Sequence, residues 1–479
     1  MVAQFERVEV AIDRAAATRP EHIALICGSR QWTYAQLQHE SVRRAALLLE
    51  AGLQAGAVAV SAVPTSDELV ITFLACCRVG VVFLPLSPVL TEAELRTLMN
   101  RAAPKVIFTI DSSVGGDFGL PLSLPLPLPG TPSHSALQAV GAGALDAEAP
   151  AIIRATSSTT GLSAKLAVIP HRYLAWRWDP AARSWWERPD GVYYLPLPNH
   201  FAAVDICQTF GLGATLVLSE ATRPERMEAE MAAVGATAFW GVPALLHLLC
   251  QQETPPLAAP RLEALRVSAA ALPLELRTAT ERRYGIPVVQ QYGMTESGYI
   301  MTTPRGDCAP DCIGRPFPGV EVRLVSDDGL DATTGELLMR TPGAMLGYLD
   351  DVEGTALILR DSWLRSGDLA RRDSAGNYYL EGRLGLRINV GGFKVAPEEV
   401  EAVLLQHPGV REAAVVARPD PIRGEIVTAV LVPVGQPPAI IDIRSFCRER
   451  LAAYKVPRQI EFRDYLPRSP LGKVQRRRL

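Results

Sequence analysis

The sequence lacks a long apolar run, a block of charge of one sign and a cysteine pattern that binds zinc. Its longest apolar run, LVITFLACC, ends at Arg78 and is too short to span a bilayer. The 48 Lys and Arg residues nearly balance the 51 Asp and Glu residues, and the basic run at Arg476–Arg478 is typical of a solvated tail. We therefore expect neither a membrane span nor a nucleic-acid partner.

The start of the chain also lacks the apolar stretch of a signal peptide, because charged residues recur from Glu6 to Asp13. This predicts a cytoplasmic protein. Apart from two adjacent cysteines, the one close pair is Cys308 and Cys312, with no second pair or nearby histidine to complete a zinc site. We expect all eight cysteines to be reduced thiols that mainly serve packing.

The chain does contain alternating helix-period and buried-strand segments. The segment Tyr34–Leu53 has the spacing of an amphipathic helix, whereas Val58–Val63 and Lys105–Ile110 are short apolar runs typical of buried strands. This alternation predicts an α/β fold with layered, mainly parallel sheets. The proline-rich stretch Gly119–Ser135 is expected to be a surface connector.

Alternation resumes at Ala151 and gives way to a β-rich stretch with Asp-Gly and Ala-Gly turns. The remaining residues favour a small α+β unit. We predict a large N-terminal domain over residues 1–384, including a β-rich subdomain, and a small C-terminal domain over residues 385–479.

The segment ATSSTTGLSAKLAVIPH, Ala155–His171, places a Ser/Thr/Gly-rich turn between two apolar runs. Hydroxyl and backbone N–H groups in such a turn can bind phosphate oxygens, and Lys165 adds positive charge. The spacing is not that of a Walker loop. Taken alone, the segment fits a phosphate loop and an ordinary polar loop equally well.

Three further motifs follow in order. QQYGMTE, Gln290–Glu296, offers an aromatic face for a base, a hydroxyl for a phosphate and a carboxylate for Mg²⁺. WLRSGDLA places Asp368 after a tight Ser-Gly turn, where its carboxylate can accept two hydrogen bonds from ribose, and LPRSPLGKVQRRRL carries Lys473. Each of these residues in isolation is more typical of a cap, a turn or a solvated tail. Their common order indicates an ATP site assembled from two domains.

This ordered set closely resembles the acyl-adenylate-forming superfamily of acyl- and aryl-CoA synthetases, adenylation domains and luciferases. The resemblance extends from RQWTYAQL at Arg30 to Lys473 and includes EGRLGLRINVGGFKVAPEEVE. It implies activation of a carboxylic acid by ATP and Mg²⁺ to acyl-AMP, with release of pyrophosphate, followed by thioester formation. It also implies that the C-terminal domain is mobile, with its hinge at Gly385.

The resemblance implies site residues by position. Tyr292 stacks on adenine, Thr295 binds the α-phosphate, Glu296 holds Mg²⁺, and Asp368 and Arg383 hold the ribose. The β- and γ-phosphates are bound by the loop residues Thr156, Ser157, Ser158, Thr159, Thr160, Gly161 and Lys165.

Lys473 bridges the substrate carboxylate and the α-phosphate in the same comparison. A cation between these anions stabilises the transition state more than the ground state, because negative charge on the α-phosphoryl oxygens grows during attack. We count Lys473, Thr295, Glu296 and His200 as the catalytic set.

The expected acyl pocket suits a neutral aromatic or medium-length aliphatic tail, because most of its side chains are apolar or absent. His200 stands at the gate position of CoA-ligase relatives, where amino-acid-activating relatives have aspartate. Asp205 could hold a substrate amine, although a helical or surface role is favoured. The pocket residues are His200, Trp240, Gly241, Ser268, Ala269, Ala270, Ala271, Gly293 and Met294.

CoA is the favoured acceptor, since GGFKVAPEEVE looks like CoA ligases and no carrier-protein attachment serine is fused to the chain. A separate carrier protein with its phosphopantetheine is the alternative. Ser158, Ala164 and Leu166 replace the usual glycine, proline and glycine of the phosphate loop, and Gly385 replaces a usual aspartate or lysine. The three loop departures are expected to stiffen or misplace the loop. Gly385 can still swivel but lacks a side chain that could hold either orientation. A degenerate relative that binds an acyl adenylate or acyl-CoA without making it stays open.

Overall fold

The structure is a computed structural model. It describes residues 6–479 apart from 89, 91, 110–122, 141–145, 157–164, 180–182, 198–200, 253–254, 257–258, 271, 307, 310, 327, 387, 391–392, 396, 421–423, 452 and 469–473. The chain forms two compact units, one of residues 1–310, 314–321 and 340–364, the other of residues 311–313, 322–339 and 365–479. The domain boundary between residues 384 and 385 stays a prediction.

The first unit contains a sheet in the order β15-β14-β13-β12-β11-β9-β10-β1-β2. Its strands from β13 to β1 in that order run parallel, whereas β2, β14 and β15 are antiparallel additions at the two edges. The strands are β1 (Ile23–Cys27), β2 (Arg30–Thr33), β9 (Val192–Leu195), β10 (Thr215–Leu218), β11 (Ala238–Gly241), β12 (Ala264–Val267), β13 (Val288–Met294), β14 (Gly298–Thr302) and β15 (Arg315–Pro316).

A second sheet of this unit has the order β18-β8-β7-β4-β3-β5-β6. It is parallel from β6 to β7, and β8 and β18 continue it antiparallel. The strands are β3 (Val58–Ser61), β4 (Val82–Pro85), β5 (Val106–Thr109), β6 (Ser123–Pro125), β7 (Pro150–Ala155), β8 (Leu166–Pro170) and β18 (Gly347–Tyr348).

Helices cover these sheets, and their ends follow the local sequence. The largest helix has a capping box between Thr33 and Gln36, and the helix after β3 begins at the cap Ser66 and ends at Gly80, whose φ is 71°. The helices are α1 (Val8–Thr18), α2 (Tyr34–Glu50), α3 (Asp67–Val79), α4 (Glu92–Ala102), α5 (His134–Ala139), α6 (His171–Ala175), α7 (Ala203–Leu212), α8 (Pro224–Val234), α9 (Pro243–Cys250), α10 (Leu274–Tyr284) and α11 (Val352–Ile358).

The main hydrophobic core of the first unit joins the two sheets through α1, α2, α3, α6 and α7. Phe73, Phe83 and Phe201 pack there with ring centroids 5.2 to 5.5 Å apart. A separate cluster, including Phe239 and Leu265, lies on the opposite face of the first sheet under α8 and α9. The short strand β19 (Leu359–Arg360) pairs with residues 363 and 364.

The second unit contains most of a sheet in which β16 (Glu321–Val325), β17 (Thr334–Arg340) and β20 (Trp363–Arg372) lie side by side, with β21 (Tyr378–Arg383) paired to β20. Its other sheet packs against two helices around Val400, Val415 and Ile443. This sheet and its helices are β22 (Ile388–Val390), β23 (Phe393–Val395), α12 (Pro397–Leu404), β24 (Val410–Asp420), β25 (Gly424–Pro433), α13 (Ile440–Arg448) and β26 (Gln459–Phe462).

The architecture confirms the predicted α/β class with mainly parallel sheets and a smaller α+β unit. No helix within the described ranges is long and apolar enough to cross a membrane. Six cysteines are free, as expected. The expectation is wrong for Cys308 and Cys312, which are disulfide-bonded, because a spacing of four residues allows two thiols to come within bonding distance.

Candidate active site

Three of the predicted acyl-pocket residues lie at one edge of the first sheet. Gly241, Ser268 and Met294 lie at or directly after the carboxyl ends of β11, β12 and β13. These strands are parallel neighbours, so residues distant in sequence meet at the same edge. Open α/β sheets bind ligands at this edge, which makes it the candidate site of the first unit.

The phosphate-loop sequence connects the two strands of an antiparallel hairpin. β7 and β8 pair from Pro150 with Pro170 to Ala155 with Leu166. At the base of the loop, the Thr156 N–H donates to the Lys165 carbonyl at 2.8 Å, and the Lys165 N–H donates to Thr156 Oγ1 at 3.2 Å. These bonds hold the two ends of the loop together.

The expected stiffening at Leu166 is wrong. Leu166 is the first residue of β8, is fully buried and pairs with Ala155. An extended strand residue needs no positive φ, so a glycine is not required there. The expectation now concerns only Ser158 and Ala164, which lie outside the described residues.

Lys165 is linked to Glu296 through Tyr348, a residue that the sequence motifs did not indicate. Tyr348 pairs with Ala167 across β18 and β8, which places its ring 4.5 Å from the Lys165 ammonium. Its hydroxyl donates to Glu296 Oε1 at 2.6 Å. Burial, together with the Glu296 carboxylate, raises the pKa of Tyr348, so the hydroxyl stays protonated and remains a donor.

Asp351 completes this group as the cap of α11. It accepts a hydrogen bond from the Gly354 N–H at 2.7 Å and lies 3.4 Å from the Lys165 ammonium. The Gly354 N–H, followed by Lys165, lowers the pKa of Asp351. The carboxylate therefore stays ionised and holds the lysine at the base of the hairpin.

The turn between β13 and β14 carries the predicted α-phosphate and metal residues. Tyr173 donates to the Thr295 carbonyl at 3.0 Å, and Ser297 Oγ accepts from the Met294 N–H at 3.2 Å. Only glycine fits at position 293, since a Cβ there would lie 2.0 Å from the Gly298 carbonyl oxygen. These contacts hold Thr295 and Glu296 in a fixed turn.

Tyr292 precedes this turn on β13 and is 9% exposed. The predicted adenine-stacking residue is therefore almost entirely covered by the protein itself. Ala269, in the predicted pocket loop after β12, has φ 72°, a conformation that favours glycine. Strain of this kind is common at binding sites.

Trp240 lies fully inside the first unit, on the sheet face below the strand ends. Its ring stacks on Tyr193 at 4.7 Å between centroids and meets Trp186 edge-on at 5.8 Å. Trp240 pairs in register with Arg266 on β12. The strand-end residue Gly241 thus follows directly on a fully buried aromatic layer, which we call the aromatic floor.

Buried charges beneath this floor were missed by sequence reasoning. Arg266 Nη2 lies 2.9 Å from Asp205 Oδ1, and Arg266 Nε donates to Gln291 Oε1 at 2.7 Å. The favoured helical role of Asp205 is confirmed, since it lies in α7, but a surface role is wrong, since it is 3% exposed. A lone arginine within a strand gives no sign of its partner in sequence.

A second buried ion pair adjoins the first. Arg177 Nη2 lies 3.1 Å from Glu187 Oε1, with both side chains wholly buried, and Gln208 donates to the same oxygen at 2.6 Å. Asp205 and Arg266 act electrostatically on this pair. The charges of the two arginines and the two carboxylates in these adjoining pairs sum to zero.

In the second unit, the predicted ribose-binding residues are neighbours. Asp368 pairs with Arg383 across β20 and β21, and Arg383 Nε donates to Asp368 Oδ1 at 2.7 Å. The expected tight turn is instead a kink within β20, where Gly367 has φ 69° and Ser366 Oγ accepts from the Asp368 N–H. Gly385 lies in a 3₁₀ turn of residues 384–386.

Several predicted residues lie outside the described part of the chain, so their placement stays a prediction. They are Ser157, Ser158, Thr159, Thr160, Gly161, His200, Ala271 and Lys473.

Residues 12–349 match the family described as AMP-binding enzyme, and residues 399–473 match the AMP-binding enzyme C-terminal domain. The chain is a member of the AMP-binding enzyme family. An indoleacetate–CoA ligase of Aromatoleum aromaticum is 31% identical, over 97% of this chain and 96% of the relative. A 3-[(3aS,4S,7aS)-7a-methyl-1,5-dioxo-octahydro-1H-inden-4-yl]propanoyl:CoA ligase of Mycobacterium tuberculosis is 32% identical, over 100% and 99%.

ATP-bound MatB from Rhodopseudomonas palustris has a similar structure, with a TM-score of 0.87 and 28% identity over 98% of each chain. Membership of this family makes the protein an adenylate-forming acid–thiol ligase of the acyl-CoA synthetase type.

The described residues of the AMP-binding enzyme fit the nucleotide and metal that its family uses. Thr156 and Lys165 place hydroxyl, backbone and ammonium donors at the hairpin, which suits phosphate. Glu296 offers a carboxylate held by Tyr348, and hard cations such as Mg²⁺ prefer oxygen ligands of this kind.

Proposed function

We propose that this AMP-binding enzyme converts a carboxylic acid with an aryl or medium-chain tail to acyl-AMP, with release of pyrophosphate, and then to its CoA thioester. The observation that carries the proposal is the contact series from Lys165 through Tyr348 to Glu296. It brings a cation suited to phosphate and a carboxylate suited to a divalent metal into one group of contacts, and adenylation by ATP uses both kinds of group.

The roles of the chain's residues follow from the charges that develop in the reaction. Attack of the acid on the α-phosphate brings two anions together, and Lys473 lowers this repulsion. Thr295 donates to the α-phosphate, while Lys165 binds the leaving pyrophosphate. Glu296 would hold Mg²⁺, which would supply positive charge that neutralises the phosphates. Asp368 accepts from the ribose hydroxyls beside Arg383, and Tyr292 stacks on adenine.

Two features support an uncharged tail. The aromatic floor of Trp240 and Tyr193 adjoins the predicted pocket residue Gly241, and aromatic surroundings suit aromatic or alicyclic rings. The names of the two relatives specify acids with ring-bearing, uncharged tails.

Pyrophosphate exchange over a panel of carboxylic acids tests the proposal. We expect ATP–pyrophosphate exchange only with the correct acid, and Lys473→Ala should lower its rate by about 10²–10³-fold. Thioester formation from supplied acyl adenylate should persist in the same variant, because the α-phosphate has already been attacked. Equal loss in both half-reactions would contradict the role of Lys473.

The acceptor is tested with the acyl adenylate and either CoA or a separate carrier protein. We expect the thioester to form with CoA and His200 to close the acyl pocket during this step. Transfer only to the carrier phosphopantetheine would identify a loading enzyme. Absence of exchange with every acid would identify a non-catalytic binder of acyl adenylate or acyl-CoA.

A further inference from the structure

The layer below the predicted acyl pocket contains buried N–H groups without acceptors. Among the described residues, neither Trp240 Nε1 nor Gln291 Nε2 has a hydrogen-bond partner, although both side chains belong to residues at most 3% exposed. Arg266 Nη2 is close to Asp205 but makes no aligned hydrogen bond in this part of the structure. Buried polar groups are normally paired, so such a set calls for an explanation.

The three groups lie together. Trp240 and Arg266 are register partners on adjacent strands, and the Arg266 guanidinium carbon is 5.4 Å from the centre of the Trp240 ring. The Gln291 amide is bonded to Arg266 through its oxygen, and its NH₂ group has no hydrogen-bond partner among the described residues. Gly241 directly follows Trp240 in sequence, and Ser268 is two residues after Arg266. The donors therefore belong to residues that adjoin, in sequence, residues assigned to the pocket.

Ser268 joins this layer to the pocket loop. Its hydroxyl donates to the Tyr299 hydroxyl at 3.3 Å, and Tyr299 donates to Asp205 Oδ2 at 3.3 Å. The Arg266 guanidinium stacks 4.2 Å from the Tyr299 ring centre. A polar ligand group that reaches Ser268 thus meets a connected polar layer.

Charge decides which acceptor fits. Arg177, Glu187, Asp205 and Arg266 are all at most 6% exposed and already balance one another. Burial opposes the charged form of Arg266, but Asp205, Tyr299 and Glu187 more than offset this, and its pKa is raised. A second carboxylate would leave an unbalanced negative charge in this layer, whereas a neutral oxygen would not.

We propose that the acid activated by this enzyme carries, at the far end of its tail, an uncharged hydrogen-bond acceptor such as a ketone oxygen, which binds the N–H groups of Trp240 and Gln291. This rests on the proposed function and adds to it the class of substrate. Trp240 and Gln291 are then specificity-determining residues.

The test compares acids of one carbon skeleton that end in a methyl ketone, an isopropyl group or a carboxylate, in both aryl and alkyl series. The kcat/KM of pyrophosphate exchange is measured for each. In the best-fitting skeleton, we expect the kcat/KM of the methyl ketone to exceed that of the isopropyl acid and that of the dicarboxylate by at least about tenfold. The reason is that a site built to donate hydrogen bonds rejects partners without an acceptor.

Trp240→Phe removes one N–H while keeping an aromatic ring, and it should lower the ketone-to-isopropyl ratio by about tenfold. Trp176→Phe is the matched control. Trp176 is 2% exposed, and its Nε1 faces Gly343, where an added Cβ would lie 2.5 Å away. Trp176→Phe should leave the ketone-to-isopropyl ratio of kcat/KM unchanged.

Exchange without preference for the ketone would overturn the inference and leave the proposed function standing. A preference that Trp240→Phe does not change would overturn the assignment of the donor. If that variant does not fold, the wild-type ratios decide. Preference for the carboxylate would show that the layer recognises an anion. Absence of exchange with every acid would remove the proposed function and this inference with it.

Discussion

At the scale of single residues, Tyr348 connects two groups that the sequence motifs treated separately. Its ring contacts Lys165 and its hydroxyl binds Glu296. Partners of a metal-binding carboxylate hold it in one orientation, and their loss commonly weakens metal binding. Tyr348 is therefore a positioning residue for adenylation rather than a catalytic one.

Tyr348→Phe should raise the Mg²⁺ concentration for half-maximal pyrophosphate exchange by about tenfold, because the ring beside Lys165 remains but Glu296 loses its donor. Tyr284→Phe is the matched control, since Tyr284 donates to Glu228 at the same distance of 2.6 Å on α10. A folded Tyr348→Phe protein with unchanged Mg²⁺ dependence would contradict the positioning role.

At the scale of elements, the β7–β8 hairpin separates two kinds of position in the phosphate segment. Thr156 and Lys165 close the loop with paired backbone groups, and Leu166 already belongs to a strand. The usual glycine at position 166 is thus replaced without strain, whereas the loop position Ser158 keeps its predicted effect.

Ser158→Gly should raise kcat/KM for ATP in adenylation, because a non-glycine residue at unfavourable φ costs on the order of 1 to 3 kcal/mol. Relief of this backbone strain should raise kcat/KM by up to about tenfold for each 1.4 kcal/mol removed. The rate of thioester formation from supplied acyl adenylate should not change. Slower adenylation would show that Ser158 is a phosphate ligand.

Leu166→Gly provides the contrast within the same element. Leu166 is fully buried, so the variant should lose about 2 kcal/mol or more of unfolding free energy without faster adenylation. Urea denaturation measures the first effect. Faster adenylation by Leu166→Gly would show that the loop strain extends into β8.

At the scale of the whole molecule, the predicted sites divide between the two units. Tyr292, Thr295 and Glu296 belong to the first, whereas Asp368 and Arg383 belong to the second. Lys473 lies outside the described residues, and its place in the C-terminal domain stays a prediction. We predict that the two half-reactions use different arrangements of these groups, with Gly385 as the pivot.

Gly385→Pro should preserve one half-reaction and slow the other, because proline fixes φ near −65°. Rapid-mixing measurements of adenylation and of thioester formation give the two rates. Gly385→Ala is the control because it keeps rotation about φ, and it should retain the rates of both half-reactions. Equal rates in Gly385→Pro and wild type would place the pivot elsewhere.

The sequence alone was sufficient for the fold class and for the adenylate-forming chemistry. Helix and strand periods are local, and motifs such as QQYGMTE and WLRSGDLA keep their chemistry within a few residues. The family resemblance assigned Asp368 and Arg383 to the same ribose, and strand pairing shows that they are neighbours.

Tertiary structure decided what local pattern could not express. Tyr348 binds Glu296, which is 52 residues away in sequence. Asp205 contacts Arg266 only because α7 packs on the sheet that contains β12. Leu166 looked like a loop residue until strand pairing assigned it to β8. Such contacts depend on which strand ends lie together and which sheet face is buried, and these are properties of packing over long sequence distances.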